Sequence, residues 1–170
     1  MNNSSSKRTK GKDTFDPKKS VQKAMTTRKK RTVWSLQFGS RRIKWASNAE
    51  RIVQVRKGLP YDAIEAVSKR ADMPIKNMLF LIDMPQTTYN KKKKSDNLLD
   101  KLESELILVL SEVLEFGLLV FNGEEEKFHR WLKKQNISLG GAAPETFFDS
   151  LTGIQEVRNA LTRIEYGNLA

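Results

Sequence analysis

A long apolar helix is the feature that most limits what this chain can fold into. Between Asn97 and Phe121, apolar residues recur every three or four positions, which places them on one face of an α-helix: Leu98, Leu102, Leu106, Val109, Val113, Phe116 and Val120. The other faces of the segment are also apolar, at Leu99, Ile107, Leu110, Leu114 and Leu119. We expect one short domain to leave part of this surface uncovered. The pattern therefore predicts a homodimer that forms through the long central helix.

Charged residues interrupt the same segment. Glu112 and Glu115 fall within its most apolar part, 106–121, whereas a membrane span needs roughly 20 predominantly apolar residues. The first residues lack the apolar core of a secretory signal peptide. The chain has no cysteine, which excludes disulfides, zinc fingers and thiol catalysis and suits a reducing compartment. We therefore expect a soluble cytoplasmic protein with no membrane association.

Caps and helix breakers predict shorter helices before the long one. Asn48 is placed to cap a helix that Gly58 ends. Pro60 then opens a second helix, whose inner face carries Ile64 and Val67. A third helix is predicted from Pro74, and a break at Asp83-Met84-Pro85 precedes a fourth at Gln86–Lys93.

Two more helices are predicted after the long one, at Glu124–Gln135 and from Thr152 onward. Thr152 and Gln155 have the spacing of a capping box. In the last helix, Ile154, Val157, Leu161 and Ile164 form an apolar stripe, and Gly167 is placed to cap the end. These patterns predict an all-α fold.

The N-terminal residues 1–47 differ from the rest of the chain. Residues 1–32 are rich in Ser, Lys, Arg and Thr, so we expect a disordered basic arm. This arm is about equally well interpreted as an extra phosphate contact or as a solubilising tail. Residues 33–47 are predicted to form a short hairpin or an irregular cap. Trp34 and Trp45 have the chemistry to stack on bases, but packing against a neighbouring helix is the favoured interpretation.

Charge divides the chain into two parts. The first 94 residues carry 24 Lys and Arg and 7 acids, and the last 76 carry 7 Lys and Arg and 13 acids, within a net charge of +11. A basic segment suits nucleic acid, because Lys and Arg displace counterions from phosphates. An acidic segment suits a basic protein surface. We therefore expect two kinds of partner.

The segment NMLFLIDMPQTTYNKKKK, Asn77 to Lys94, has the pattern of a helix-turn-helix: an apolar helix, a tight break and a polar second helix. Asp83 stands where the turn usually has glycine, and aspartate tolerates the left-handed conformation better than most residues. The alternative interpretation is a solvated polar helix with a run of charge. If the motif binds DNA, base edges are expected to meet Gln86, Thr87, Thr88 and Asn90, and phosphates to meet Lys91, Lys92, Lys93 and Lys94.

No catalytic, metal or cofactor site is predicted. Glu124-Glu125-Glu126 lies at a helix start, where acids complement the helix dipole. His129 is the only histidine, and we expect it to be a partly exposed packing residue, without a triad partner. Gly140-Gly141 is interpreted as a turn, since the chain lacks the phosphate-binding glycine motifs. The protein is expected not to be an enzyme and to have no small-molecule substrate.

The C-terminal block, Arg130 to Ala170, carries an informative series of residues. In order these are Trp131-Leu132, Asn136, Leu139-Gly140-Gly141, Pro144, Thr152-Gly153, Val157, Leu161 and Arg163-Ile164-Glu165-Tyr166-Gly167. Their order and spacing resemble those of the toxin-binding domain of the Xre/MbcA/ParS antitoxin family. Arg56–Met73 and the helix-turn-helix resemble the family's N-terminal part, so the resemblance covers about 48–170.

The resemblance implies an Xre-like helix-turn-helix DNA-binding domain at 48–96, a long central dimerisation helix at 97–123 and a small helical toxin-binding domain at 124–170. Such antitoxins accompany RES-domain toxins, which attack NAD or ADP-ribosylate a protein. They repress their own operon as dimers at the nucleoid, and their C-terminal segment occludes the toxin's NAD cleft. On this chain that segment corresponds to Arg163, Glu165, Tyr166, Gly167, Asn168, Leu169 and Ala170. The alternative is a stand-alone helix-turn-helix regulator whose C-terminal half only dimerises.

Overall fold

A β-hairpin and seven α-helices follow one another along residues 33–167, the part of the chain that the computed structural model describes. The predicted basic arm, 1–32, and Asn168-Leu169-Ala170 lie outside the described residues. The elements are β1 Trp34–Phe38, β2 Arg41–Trp45, α1 Asn48–Lys57, α2 Asp62–Arg70, α3 Ile75–Leu81, α4 Gln86–Lys94, α5 Lys101–Val120, α6 Glu125–Lys133 and α7 Leu151–Glu165. Two short 3₁₀ helices, Ile137–Leu139 and Pro144–Phe147, connect α6 to α7. The predicted mostly helical fold is confirmed.

The predicted long helix, α5, is the centre of the fold. It packs against β1, α1 and α2, which precede it in the chain, and against α6 and α7, which follow it. It begins at Lys101 rather than at Asn97, because Asp100 caps it. The Asp100 carboxylate accepts from the Glu103 amide at 2.8 Å, and the Glu103 carboxylate accepts from the Asp100 amide at 2.9 Å. This capping box, which the sequence interpretation missed, fixes the start of the helix.

The chain itself covers most of the apolar surface of α5. Ile107, Leu108, Leu110 and Leu114 are fully buried by the neighbouring helices. The part of this surface that the chain leaves uncovered, as expected, is confined to the helix ends, since apolar side chains from both earlier and later segments of the sequence surround the rest. Large exposed apolar side chains remain only near its two ends within the described residues, at Leu102 and Leu119. Within 33–167, no single helix has both the length and the hydropathy for a membrane crossing, and only α5 and α6 together, bent by 120° where they meet, reach them.

Residues 34–45 form the hairpin, one of the two alternatives left open by the sequence. The strands are antiparallel, with Trp34 opposite Trp45 and Leu36 opposite Ile43. Trp45 is buried, and its indole N–H donates to the Glu112 carboxylate of α5 at 2.6 Å. Packing against a neighbouring helix is thus confirmed for Trp45. Trp34 is half-buried and packs on the same core.

A buried carboxylate ties the N-terminal elements to α5. Glu112 is only 8% exposed, and both of its oxygens accept from one guanidinium nitrogen of Arg51, at 3.0 and 2.9 Å. Arg70 makes a second link, because its guanidinium donates to the Ser35 carbonyl and to the Ser111 hydroxyl. Burying a charge is costly unless it is paired and hydrogen-bonded. Here each buried charge has partners, so the links also set the register of α5 against α1, α2 and β1.

Two predicted helix caps are shifted in the structure. Ser47, not Asn48, caps α1, because its hydroxyl accepts from the Glu50 amide. Ser150, not Thr152, caps α7, and its hydroxyl accepts from the Gly153 amide. The predicted end of α1 at Gly58 is confirmed. The second helix begins at Asp62, two residues after the predicted Pro60.

Candidate functional site

The turn between α3 and α4 has the geometry predicted for a helix-turn-helix. Asp83 adopts a left-handed conformation with a φ of 52°. The Met84 amide donates to the Leu79 carbonyl at 2.9 Å, and the Asp83 amide donates to the Phe80 carbonyl at 3.2 Å. This is the Schellman pattern that usually carries glycine at the left-handed position. Leu79 and Met84 are both buried, so an apolar contact closes the turn.

One face of α4 is exposed to solvent. Most of the residues predicted to contact DNA lie there, and the Gln86 side-chain amide donates to the Asn90 side-chain carbonyl at 3.2 Å. The residues are spaced by one, three or four positions, so they share one side of the helix. Thr88 and Lys92 are half-buried at its margin. The exposed face comprises Gln86, Thr87, Asn90, Lys91 and Lys94.

The opposite face of α4 is bound to α2. Tyr89 is buried, and its hydroxyl donates to the Glu65 carboxylate at 2.7 Å. The Lys93 ammonium lies 2.6 Å from Glu65 and 2.9 Å from Asp62. We call these four residues the α2–α4 clamp. It holds the helix that carries the candidate DNA-binding face.

Protonation in the α2–α4 clamp follows from these contacts. The hydrogen bonds from Lys93 and then from Tyr89 lower the pKa of Glu65. Burial, and then the hydrogen bond to Glu65, raise the pKa of Tyr89 to about 12. Burial alone would lower the pKa of Lys93, but its hydrogen bonds to Glu65, Asp62 and Tyr89 outweigh burial and raise it. Glu65 is therefore ionised, and Lys93 is charged, throughout the neutral range.

The structure gives Lys93 a different role from the one predicted. Its charge is neutralised by Asp62 and Glu65, so it is not placed as a phosphate contact. The sequence carried a signal for this: Lys93 lies four residues after Tyr89, which puts both on the inner face of a helix. Lys92 lies over the Tyr61 ring, 5.9 Å from its centroid. Lys91 and Lys94 are the exposed lysines of the run.

The end of α7 presents the second group of predicted residues. Ile154, Val157 and Leu161 are fully buried, so the predicted apolar stripe holds the helix against the core. Arg163, Glu165 and Gly167 are exposed, and Tyr166 is 64% exposed. Gly167 has a φ of 68°, and its amide donates to the Ile164 carbonyl, as predicted for a glycine cap.

An open groove of about 530 Å³ lies beside this end of α7. Ile137, in the first 3₁₀ turn, stands on its edge and is 96% exposed. Sequence reasoning did not single out Ile137. The sequence signal for its exposure was that Ile137 stands alone between two polar residues in a turn. Such an isoleucine belongs to no apolar helix face that could be buried. The groove is lined by Phe121, Trp131, Lys134, Gln135, Asn136, Ile137, Ser138, Ala160, Arg163 and Ile164.

The remaining polar residues of the C-terminal part have structural partners. Glu125 and Glu126 occupy the first turn of α6, as predicted for acids that complement the helix dipole. His129 is half-buried, and its Nε2 lies 3.1 Å from the Arg70 carbonyl, which confirms the predicted packing role. Lys133 pairs with Asp72 at 2.6 Å. Among residues 33–167, no three His, Cys, Asp or Glu side chains are grouped in a way that could hold a metal ion.

Two family models match this chain. The antitoxin Xre-like helix-turn-helix domain matches residues 50–110. The antitoxin Xre/MbcA/ParS C-terminal toxin-binding domain matches residues 117–167. The first match ends and the second begins within α5, at residues 110 and 117. The first match includes the α3–α4 motif, and the second includes the exposed end of α7.

Curated relatives agree with the family models. Two proteins named antitoxin Xre, from Photorhabdus laumondii subsp. laumondii and Yersinia enterocolitica serotype O:8, are each 24% identical over 66% of this chain and 76% of the relative. A Prs ADP-ribosylating antitoxin from Sphingobium sp. is 26% identical over 78% of this chain and 89% of the relative. With both domains matched in order on one continuous fold, the chain belongs to the Xre/MbcA/ParS-like antitoxin family.

Proposed function

We propose that this protein neutralises a RES-domain toxin by occluding the toxin's NAD cleft with its C-terminal segment. The observation that carries the proposal is the end of α7, where a helix anchored by a buried stripe presents exposed Arg163, Glu165 and Tyr166. The matched toxin-binding domain extends to Gly167. Asn168-Leu169-Ala170 continue the segment.

The chemistry of this segment suits a dinucleotide cleft. A site that binds two phosphates offers cationic donors, and a nicotinamide or adenine site offers flat apolar surfaces. The Glu165 carboxylate would take the place of phosphate, and the Tyr166 ring the place of a base. The name of the Sphingobium relative refers to ADP-ribosylation, a reaction that consumes NAD. This supports an NAD-using toxin.

We further propose that the protein binds operator DNA as a dimer in the cytoplasm, at the nucleoid, and represses its own operon. The exposed face of α4 offers Gln86, Thr87 and Asn90 to base edges, with Thr88 at the margin. The exposed Lys91 and Lys94 contact phosphates, with the half-buried Lys92 beside them. In this role the protein is a regulator without catalysis or a cofactor.

A dimer would match a two-fold operator, because helix-turn-helix dimers read two half-sites about one helical turn apart. The sequence pattern predicts that the dimer forms through the central helix, α5. In the structure, only Leu102 and Leu119 offer large exposed apolar side chains on α5. A dimer through this helix therefore involves one of its ends rather than its whole length.

Deleting Glu165–Ala170 tests the proposed toxin inhibition. The shortened protein should fail to protect cells that express a RES-domain toxin that the full chain neutralises, and should lose inhibition of NAD consumption in a purified assay. Operator binding should be unchanged, because the deletion leaves α4 intact. Full protection by the shortened protein would exclude occlusion by this segment.

The matched control is Thr88→Ala with Asn90→Ala. This double variant should lose operator affinity by about tenfold or more, because each base contact is worth roughly 1–3 kcal/mol, yet it should still co-purify with the toxin. If the chain binds DNA but neither binds nor inhibits any RES-domain protein, the alternative holds, namely a stand-alone regulator whose C-terminal half only dimerises.

A further inference from the structure

An apolar surface near the helix-turn-helix is unused by either proposed activity. Phe80, on α3, is 84% exposed, and Leu102, in the first turn of α5, is 69% exposed. Leu102 lines a groove of about 350 Å³ together with Leu81, Ile82, Leu106 and Leu151, and Phe80 lines an adjacent recess that shares Leu81 with this groove. An exposed phenylalanine beside an apolar groove is uncommon on a monomer, where contiguous apolar patches usually mark an interaction site.

We propose that this surface is the dimer interface, in which Phe80 of each copy enters the groove of the other. The protruding ring and the groove lie side by side, because Leu81 follows Phe80 in the chain and lines the groove. A two-fold axis joins identical patches, so each copy must contribute both a projection and a recess. This surface has both, which favours a second copy of the chain over an unrelated partner.

Charges around the ring support the same occupant. Asp83, Glu103 and Asp149 line the groove. Lys76 lies four residues before Phe80, on the same side of α3, and lines the recess on the other side of the ring. Seating Phe80 in the opposite groove brings Lys76 of each copy toward the acidic rim of the other. Opposite charges that meet in this way stabilise one orientation and suppress others.

The position of the surface fits the two-fold operator of the proposed function, on which this inference rests. Asp83 belongs to the turn that joins α3 to α4 and also lines the groove. Contact at the groove would therefore fix the separation of the two α4 helices, which in helix-turn-helix dimers matches half-sites about one helical turn apart. It also assigns the dimer contact to the N-terminal end of α5, where Leu102 is exposed, and not to its middle, where Ile107 and Leu110 are buried.

The oligomeric state of the full chain tests the interface in the absence of DNA and toxin. The molecular mass by light scattering should be that of a dimer at micromolar concentrations. Phe80→Ser should raise the dimer dissociation constant at least tenfold, because a central aromatic anchor dominates a small interface. Leu119→Ser is the matched control, as Leu119 is 61% exposed at the other end of α5, and it should leave the dimer unchanged.

A cross-link gives an independent measurement, because the chain has no cysteine. Lys76→Cys protein mixed with Asp149→Cys protein should be joined into a covalent heterodimer by a short bismaleimide, whereas Leu119→Cys mixed with Lys76→Cys should not. A monomeric wild-type chain would overturn the inference, as would dissociation by Leu119→Ser instead of Phe80→Ser, or absence of the Lys76–Asp149 cross-link. The proposed toxin inhibition is tested separately by deleting Glu165–Ala170, so failure of one leaves the other standing.

Discussion

Within residues 33–167, four helices end on a residue other than glycine in the left-handed conformation. Asp72, Asp83, Asp96 and Asn122 have φ values of 51°, 52°, 51° and 54°. In each case the next amide donates back across the last turn, as in a Schellman motif. Aspartate also places a negative charge at the negative end of the helix dipole. These positions therefore carry a local cost that glycine would remove.

Asp96→Gly should raise the free energy of unfolding by about 1 kcal/mol, since it relieves the left-handed conformation and the unfavourable charge at the end of α4. Urea denaturation monitored by circular dichroism measures the change. Asp72→Gly is the control: it should gain less, because it also loses the ion pair with Lys133. An equal gain at both positions would show that this ion pair contributes nothing.

Gly117 is required by close packing rather than by backbone conformation. It lies in the last turn of α5, and an added Cβ would collide with the Phe128 ring of α6. Phe128 is fully buried, so its ring cannot shift without displacing neighbouring side chains. Gly117→Ala should therefore lower the free energy of unfolding by about 1–3 kcal/mol, even though alanine favours a helix.

Thermal or urea unfolding of Gly117→Ala tests this explanation together with a compensating change. Adding Phe128→Leu to Gly117→Ala should cost less than the sum of the two single changes, because the smaller side chain makes room for the methyl group. Additive losses would mean that the two residues do not compete for the same space.

The helix caps show how well the local sequence predicts which residue ends a helix. The glycine caps at Gly58 and Gly167 were predictable, because a left-handed residue after an apolar stripe has few alternatives. At the start of α1, Ser47 and Asn48 are adjacent and both can cap. Ser47 has a glutamate three residues later, the spacing of a capping box, and its hydroxyl accepts from the Glu50 amide, so the local sequence carried a signal that the prediction of Asn48 missed.

At the scale of elements, α4 depends on the α2–α4 clamp. The helix itself is polar, with Tyr89 as its one buried residue, so little apolar packing holds it. Glu65 accepts hydrogen bonds from both Tyr89 and Lys93. The position of the DNA-binding face therefore rests on a carboxylate from a neighbouring helix.

Glu65→Gln should weaken operator binding and lower the free energy of unfolding at neutral pH by about 0.5–1 kcal/mol, a value kept small because the side chains are partly exposed to solvent. The folded-state pKa of Glu65 lies below its ordinary value of 4.5. Its contribution is therefore present above that value and is lost as pH falls through the folded-state pKa. The stability difference between wild type and Glu65→Gln should shrink on acidification below about pH 4.5.

Urea unfolding at pH 7 and at pH 3 to 4 measures this difference, and a double variant supplies the control. Glu65→Gln combined with Lys93→Gln should be little less stable than either single variant, because each already breaks the ion pair. A difference between wild type and Glu65→Gln that grows at low pH would contradict the role assigned to the clamp.

Element existence was easier to predict from the sequence than element limits. The three- and four-residue spacing of apolar residues predicted α5 and α7 because it continues over several turns. The start of α5 was placed too early, since Leu98 and Leu99 extend the pattern although Leu99 leaves the helix to donate from its amide to the Leu59 carbonyl. The hairpin remained one of two alternatives because its pairing with α5 involves Glu112 and Glu115, about 70 residues away.

At the scale of the whole molecule, α5 belongs to both functional parts. Its buried face contacts α1 and α2 of the helix-turn-helix part and α7 of the toxin-binding part. Arg158, on α7, lies 5.8 Å from the centroid of the Trp34 ring and 5.1 Å from that of Phe116. The dimer was predicted from the sequence because α5 has more apolar residues than one helix face needs. The sequence did not show which distant segments of the same chain would cover these residues.

This shared helix predicts that the two parts unfold together. Trp45 reports on the hairpin and α5, and Trp131 reports on α6. In each of two variants that retain one of these tryptophans, with the other two replaced by phenylalanine, the urea midpoint by fluorescence should equal the midpoint by circular dichroism, because exposing either side of α5 removes the packing of the other. Separated midpoints within one variant would mean that each part is stable alone. In the coincident case, a toxin bound at α7 also raises the free energy of unfolding of the part that holds α4.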